Sequence, residues 1–172
     1  MTRQNTPTTI IIGYGNPLRR DDGAGPELVR RICARLGTKE EPNQHTVLNI
    51  GNTGFLISHQ LIPELCEAIA NYCQVVYIDA SVAVKNFTVE DVGLPCEAEA
   101  IYHSHGLTPR QLTMLALLSQ DHSSLDHIYI LHLPAEDMGM GEGLTNGMEQ
   151  NLNAGLDWLD KLIGGEPDRT VH

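Results

Sequence analysis

Apolar residues along the chain fall into short blocks separated by polar, glycine- or proline-bearing segments. Thr8 to Gly13 is a β-branched run ending in glycine, which predicts a buried first strand. Pro26 suits the first turn of a helix that runs to about Leu36, where Gly37 ends it. Thr46 to Ile50 reads as a second, short strand. Gly54 to Tyr72 reads as helical, with Pro63 as a break or a fresh start. Val75-Val76-Tyr77-Ile78 is a third strand, apolar on both faces, that ends at Asp79. Asn86 to Val92 is an additional strand. Ala98 to Tyr102 leads into His103-Ser104-His105-Gly106. Thr108 as N-cap and Pro109 at the first helical position open another helix, with Leu112, Leu115, Ala116 and Leu118 on one broad face. Ile128 to Leu133 is a last core strand. Asn146 to Ile163 is a closing helix with Met148, Leu152, Leu156, Leu159 and Ile163 on one stripe. Residues 1–7 and 164–172 read as flexible ends, and there is no internal repeat.

Strands alternating with helices predict an α/β sandwich on a mostly parallel sheet. Such sheets bind ligands beyond the carboxyl ends of their strands. Three polar groups fall at those ends: Asp22 (or Asp21) after the first strand, Asp79 after the third, and His105 after a later one. Two carboxylates and one imidazole with open positions form a donor set for nickel, zinc, iron or manganese. Three protein ligands leave room for water or a substrate group. Each residue also has a plainer role available. Acids near a helix start favour the macrodipole, Asp79 can begin a turn, and His105 can be a loop histidine with its own partners. His103 competes with His105, since neighbours two apart on the chain leave the choice open, and His132 inside the last strand reads as a core or rim histidine.

Length and charge narrow the partners. The 172 residues favour one domain spanning 1–172. The formal charge of -11 repels nucleic acid and anionic membranes, so neither is expected as a partner. No stretch approaches a membrane span, and the amino terminus lacks the apolar core of a secretory signal, so a cytoplasmic location is expected. The cysteines, Cys33, Cys66, Cys73 and Cys96, form no CxxC pair and read as small buried hydrophobes, with Cys66 and Cys73 on one helical face.

The loop after the first strand, Gly13-Tyr14-Gly15-Asn16-Pro17-Leu18-Arg19-Arg20-Asp21-Asp22-Gly23-Ala24-Gly25, looks at first like a nucleotide loop. Yet Leu18 stands where a dinucleotide fingerprint has its third glycine, and Asp-Asp-Gly stands where a P-loop has Gly-Lys-Ser/Thr. Two carboxylates repel a phosphate and suit a cation. A nucleophilic enzyme finds no support either: there is no Gly-x-Ser-x-Gly elbow, and no cysteine carries a signature flank.

The pattern Gly-x-Gly-Asn-x-Leu-x-x-Asp-Asp-Gly-x-Gly resembles the opening motif of the [NiFe]-hydrogenase maturation endopeptidases, complete here from Gly13 to Gly25. Val75 to Ala80 looks like that family's strand ending in Asp-Ala. Ser104-His105-Gly106-Leu107-Thr108-Pro109 resembles its Ser-His segment, and Gly141 to Thr145 is similar to its Gly-x-x-Leu-Ser/Thr stretch. Together these span residues 8 to 163. The resemblance implies a three-layer α/β/α fold on a twisted, largely parallel five-stranded sheet. It implies removal of a short carboxyl-terminal peptide from the precursor of the hydrogenase large subunit after nickel insertion. It places the metal-contacting and catalytic positions at Asp22, Asp79 and His105. It implies that the nickel is supplied by the substrate, with no permanently bound cofactor. A different class, a nickel-handling or metabolite-binding module that cuts nothing, uses the same donors.

Overall fold

The computed structural model describes residues 8–94, 106–119 and 124–165. The chain runs β1 (Thr9–Tyr14), a 3-10 turn (Arg20–Gly23), α1 (Ala24–Arg35), β2 (Leu48–Ile50), β3 (Thr53–Ser58), a 3-10 turn (Pro63–Leu65), α2 (Cys66–Ile69), β4 (Gln74–Ser81), β5 (Thr88–Asp91), α3 (Pro109–Ser119), β6 (His127–Pro134) and α4 (Asn146–Ile163). The sheet has six strands in the order β2-β3-β1-β4-β6-β5. The four central strands are parallel, while β2 and β5 pair antiparallel at the edges. The α/β class with a mostly parallel sheet therefore holds, and the expected count of five strands is too low.

The extra strand lies where a helix was expected. Residues 53–58 form β3, and only the short α2 follows Pro63. The local chemistry accounts for this. Gly51-Asn52 joins β2 to β3 as a two-residue hairpin, with Ile50 paired to Thr53 and Leu48 to Phe55. The run Thr53-Gly54-Phe55-Leu56-Ile57-Ser58 is then buried on both faces, as the inner strand of a parallel ladder must be. A short continuous apolar run does not distinguish strand from helix by periodicity, and tertiary pairing decides it. Because α2 ends at Ile69, Cys66 and Cys73 do not share a helical face. Burial pushes the Cys33 thiol up to about 11 and leaves it a packing group.

Two cores flank the sheet. Ile11, Val76, Ile78, Leu131 and Leu133 point to one face, where α1 and α4 cover them with Leu28, Ile32, Leu152 and Leu159. Ile10, Ile12, Val75, Tyr77, Ile128 and Ile130 point to the other, under α2 and α3, with Leu65, Ile69 and Leu112. The helix α3 opens as expected: Thr108 Oγ1 accepts from Gln111 N at 3.2 Å while Gln111 Oε1 accepts from Thr108 N at 3.0 Å. Thr113 of α3 bonds the buried Tyr77 hydroxyl at 2.9 Å and so fixes how α3 lies on the sheet.

The start of α1 packs against β1 with almost no intervening space. A Cβ on Gly25 would stand 2.6 Å from Tyr14 O and 2.9 Å from Ile78 O. Alanine at a helix position is ordinarily favoured over glycine by about 0.5–1 kcal/mol. Here the backbone on the far side cannot yield, so we expect Gly25→Ala to destabilise by about 1–3 kcal/mol. Urea unfolding measures this, and a stabilised variant would contradict the packing.

Candidate functional site

The two adjacent acids of the β1–α1 loop have opposite fates. Asp21 is fully buried. Its Oδ2 accepts from Glu136 N at 2.8 Å, Asp137 N at 3.2 Å and Thr145 Oγ1 at 2.8 Å, and its Oδ1 accepts from Thr145 N at 2.8 Å. The backbones on either side are stitched together too, by Arg20 N to Gly141 O at 2.9 Å and Asp21 N to Asp137 O at 3.0 Å. Burial alone would raise the Asp21 pKa, but the accepted bonds from Thr145, Glu136 and Asp137 outweigh it and hold it below the usual value of 3.8. Asp21 is thus a structural clamp between the β1–α1 loop and the β6–α4 loop. Of the alternatives left open by sequence, Asp22 is the one that remains free for chemistry.

Asp22 faces the other way. Its Oδ2 accepts from Asn16 N at 3.0 Å, and the side chain lines an open cleft of about 610 Å³ with Tyr14, Arg19, His59 and Leu107. The tight turn that aims it depends on Gly15, whose φ is +134° and where a Cβ would meet Asp22 O at 1.9 Å. The same turn leaves little for a phosphate. The N–H groups of Gly15, Asn16, Leu18, Arg19, Arg20, Asp21 and Asp22 already donate to protein oxygens, and residue 17 is proline. The nucleotide-loop appearance is therefore a coincidence of glycines.

A row of polar side chains crosses the carboxyl end of the sheet beside Asp22. On the α2/α3 face, Ile10-Ile12-Tyr14 of β1, Val75-Tyr77-Asp79 of β4 and Ile128-Ile130-His132 of β6 each step by two from apolar to polar. Asp79 pairs directly with His132 in the parallel register, and Tyr14 pairs with Ser58. The Tyr14 hydroxyl lies beside the Asp79 carboxylate, and burial, then the Asp79 charge, hold its phenol far above its ordinary range. Burial also raises the Asp79 pKa, the Asp22 charge adds to that, and the Tyr14 bond and the His132 ring oppose it. The Asp22 charge is the smallest of these influences on Asp79. His132 Nε2 bonds Glu90 Oε2 of β5 at 3.0 Å, and Glu90 Oε1 accepts from Arg110 at 3.0 Å.

Of the three expected site residues, Asp79 lies near the carboxyl end of β4 and Asp22 in the loop beyond the carboxyl end of β1. The third, His105, lies outside the described residues, as do His103, Ser104 and Cys96. Leu107, two residues on, lines the same cleft as Asp22 and donates its N–H to Leu61 O at 3.0 Å. Among the described residues no group of three or more His, Cys, Asp or Glu side chains is placed to hold a metal ion. Sequence reasoning passed over Tyr14, Glu90 and the orientation of His132. The signal for His132 was present in Ile128-x-Ile130-x-His132, a period-two run whose last member is polar.

The division of labour between the two acids is measurable. Asp21→Ala should cost about 3 kcal/mol or more, because it strands several buried donors, whereas Asp22→Ala should stay within about 1 kcal/mol. Because the folded pKa of Asp21 is lowered, its contribution is complete above 3.8 and fades as pH falls below it. The stability gap between the wild type and Asp21→Asn, from denaturant titrations at several pH values, should therefore narrow on acidification. A constant gap would contradict the clamp.

No family model and no curated protein matches the chain by sequence. Solved structures match it in shape. The [NiFe] hydrogenase maturation protease HycI from Thermococcus kodakarensis KOD1 is similar with a TM-score of 0.66 and 18% identity, over 93% of this chain and 95% of that one. The hydrogenase maturating endopeptidase HybD from E. coli is similar with a TM-score of 0.61 and 18% identity, over 91% and 93%. HybD from Thermococcus kodakarensis reaches 21% identity with a TM-score of 0.54, over 90% and 97%. At such identities the likeness is one of fold: over nine-tenths of its length the chain has the fold of the [NiFe] hydrogenase maturation proteases.

Proposed function

We propose that the chain is an endopeptidase that removes a short carboxyl-terminal peptide from the nickel-loaded precursor of a [NiFe]-hydrogenase large subunit. The observation that carries this reading is the pair Asp22 and Asp79 at the carboxyl end of the sheet, in a fold shared with proteases of that description. His105 is the third member on this reading. Two carboxylates and an imidazole fit a divalent transition ion, since hard oxygens with one nitrogen suit nickel.

The nickel belongs to the client, held there by cysteine thiolates. The chain's part is to recognise it. In the free protein the Asp22 and Asp79 charges oppose each other, and Asp79 is partly withdrawn from water. A cation delivered by the client turns that repulsion into attraction. A client without nickel meets two unneutralised carboxylates and is disfavoured, so the same pair selects for loaded precursor and against unloaded precursor. Tyr14 stands beside the Asp79 carboxylate and, as a phenol that stays protonated, adds no negative charge. The Asn16 N–H, which donates to Asp22 Oδ2 at 3.0 Å, orients the other carboxylate. An activated water is the attacking group on this reading, at a peptide bond brought into the cleft beside Asp22.

The test is to mix the purified protein with nickel-loaded and with nickel-free precursor and weigh the products by mass spectrometry. Loss of a carboxyl-terminal peptide from the loaded form alone is expected. Asp79→Ala and Asp22→Ala should leave the loaded precursor intact over the time the wild type needs to finish. Binding without cleavage would make the chain a nickel-handling module, and equal cleavage of both forms would remove nickel from the recognition.

A further inference from the structure

The polar row does not stop at the two carboxylates. His132 stands directly beside Asp79 in the β4–β6 register, on the same sheet face. Its side chain is 21% exposed, so it can be reached from the rim. A histidine that only fills a core spends its ring nitrogens on fixed partners. Here one nitrogen is so engaged: Nε2 lies 3.0 Å from Glu90 Oε2. Glu90 is itself held by Arg110 at 3.0 Å and as a carboxylate can only accept, which assigns the hydrogen to Nε2. With that hydrogen on Nε2, Nδ1 is the ring atom through which the neutral imidazole would offer a lone pair to a cation. It faces Asp79 Oδ2 at 3.9 Å, too far for a hydrogen bond.

His132 Nδ1 and Asp79 Oδ2 thus face each other at 3.9 Å, and the ring is oriented from behind by the Glu90 carboxylate. Histidines that bind metals characteristically give their other N–H to a carboxylate in this way, which fixes the tautomer and strengthens the donor. Two donors on a single first-row ion, with bonds of about 2.0–2.2 Å, stand roughly 3.0–3.4 Å apart. The 3.9 Å separation therefore needs to close by only about half an ångström, within a small side-chain rotation.

We propose that His132 Nδ1 is a further donor to the client's divalent nickel, acting beside Asp79, with Glu90 and Arg110 as the positioning residues that hold the ring. The inference rests on the reading of Asp79 as a metal-facing carboxylate and adds to it a nitrogen donor from β6. It also gives the antiparallel edge strand β5 a role at the site through Glu90.

The test uses the full chain with its histidines labelled with nitrogen-15 and cadmium-113 as a diamagnetic probe ion. Titration of the wild type should move the His132 Nδ1 resonance and reveal a direct nitrogen–cadmium coupling, with Nε2 still protonated. Correlations from ring to backbone identify His132, so the assignment does not need a variant that folds. Glu90→Gln, which keeps an acceptor but removes the charge, should weaken cadmium binding about tenfold. His132→Gln should weaken it at least as much, with circular dichroism confirming the fold. Cadmium binding that is lost in Asp79→Asn but shows no coupling to His132 Nδ1 overturns this inference alone. Cadmium binding that is absent, or indifferent to Asp79→Asn, overturns the metal-facing reading of Asp79 and the inference with it.

Discussion

One buried carboxylate organises the functional rim. Asp21 carries a charge with no exposure to water, a state tolerable only because four donors, from Glu136, Asp137 and both the backbone and hydroxyl of Thr145, converge on it. Those donors come from the loop after β6, so the bond set joins two loops more than a hundred residues apart in the chain. With Asp21 turned inward, the backbone must present the next residue outward. Arg20 accepts a left-handed φ of 44° at this bend, an uncommon conformation for a side-chain-bearing residue, and is held there by Gly141 and Asp137. The clamp therefore determines both where the cleft opens and that Asp22 lines it.

The parallel sheet supplies the rest. Because side chains alternate with a period of two, three neighbouring strands that reach the rim in register must place Tyr14, Asp79 and His132 on one face. Below that row lie Tyr77 and the apolar core under α3, which withdraw water from one side. Above it lies solvent. A carboxylate on this boundary is raised in pKa by burial, and the neighbouring Tyr14 and His132 oppose that rise. On the proposed reading, the Asp22 and Asp79 carboxylates stay uncompensated until the client brings a cation.

Much of this was legible in the sequence, for identifiable reasons. The closing helix α4 was readable because Met148, Leu152, Leu156 and Leu159 repeat over eighteen residues, and the structure adds Thr145 as its cap. The strand-end positions of Asp22 and Asp79 followed from glycine and apolar-run boundaries, which local chemistry dictates. β3 was not readable, because its identity depends on pairing with β1 and β2 rather than on its own pattern. Local spacing did not choose between Asp21 and Asp22 either; only the resemblance singled out Asp22. That choice depends on Glu136, Asp137 and Thr145, whose approach no local spacing reveals. The Glu90–His132 bond likewise needed the antiparallel placement of β5 on β6.

The account's central claim is that this chain's own oxygen and nitrogen donors address the nickel carried by the client. X-ray absorption at the nickel edge tests it most directly, recorded on the loaded precursor alone and mixed with the protein. The account predicts that the sulfur-dominated nickel shell gains oxygen and nitrogen neighbours on mixing, and that Asp79→Asn diminishes the gain. A nickel shell that stays unchanged while the precursor is cut would contradict it.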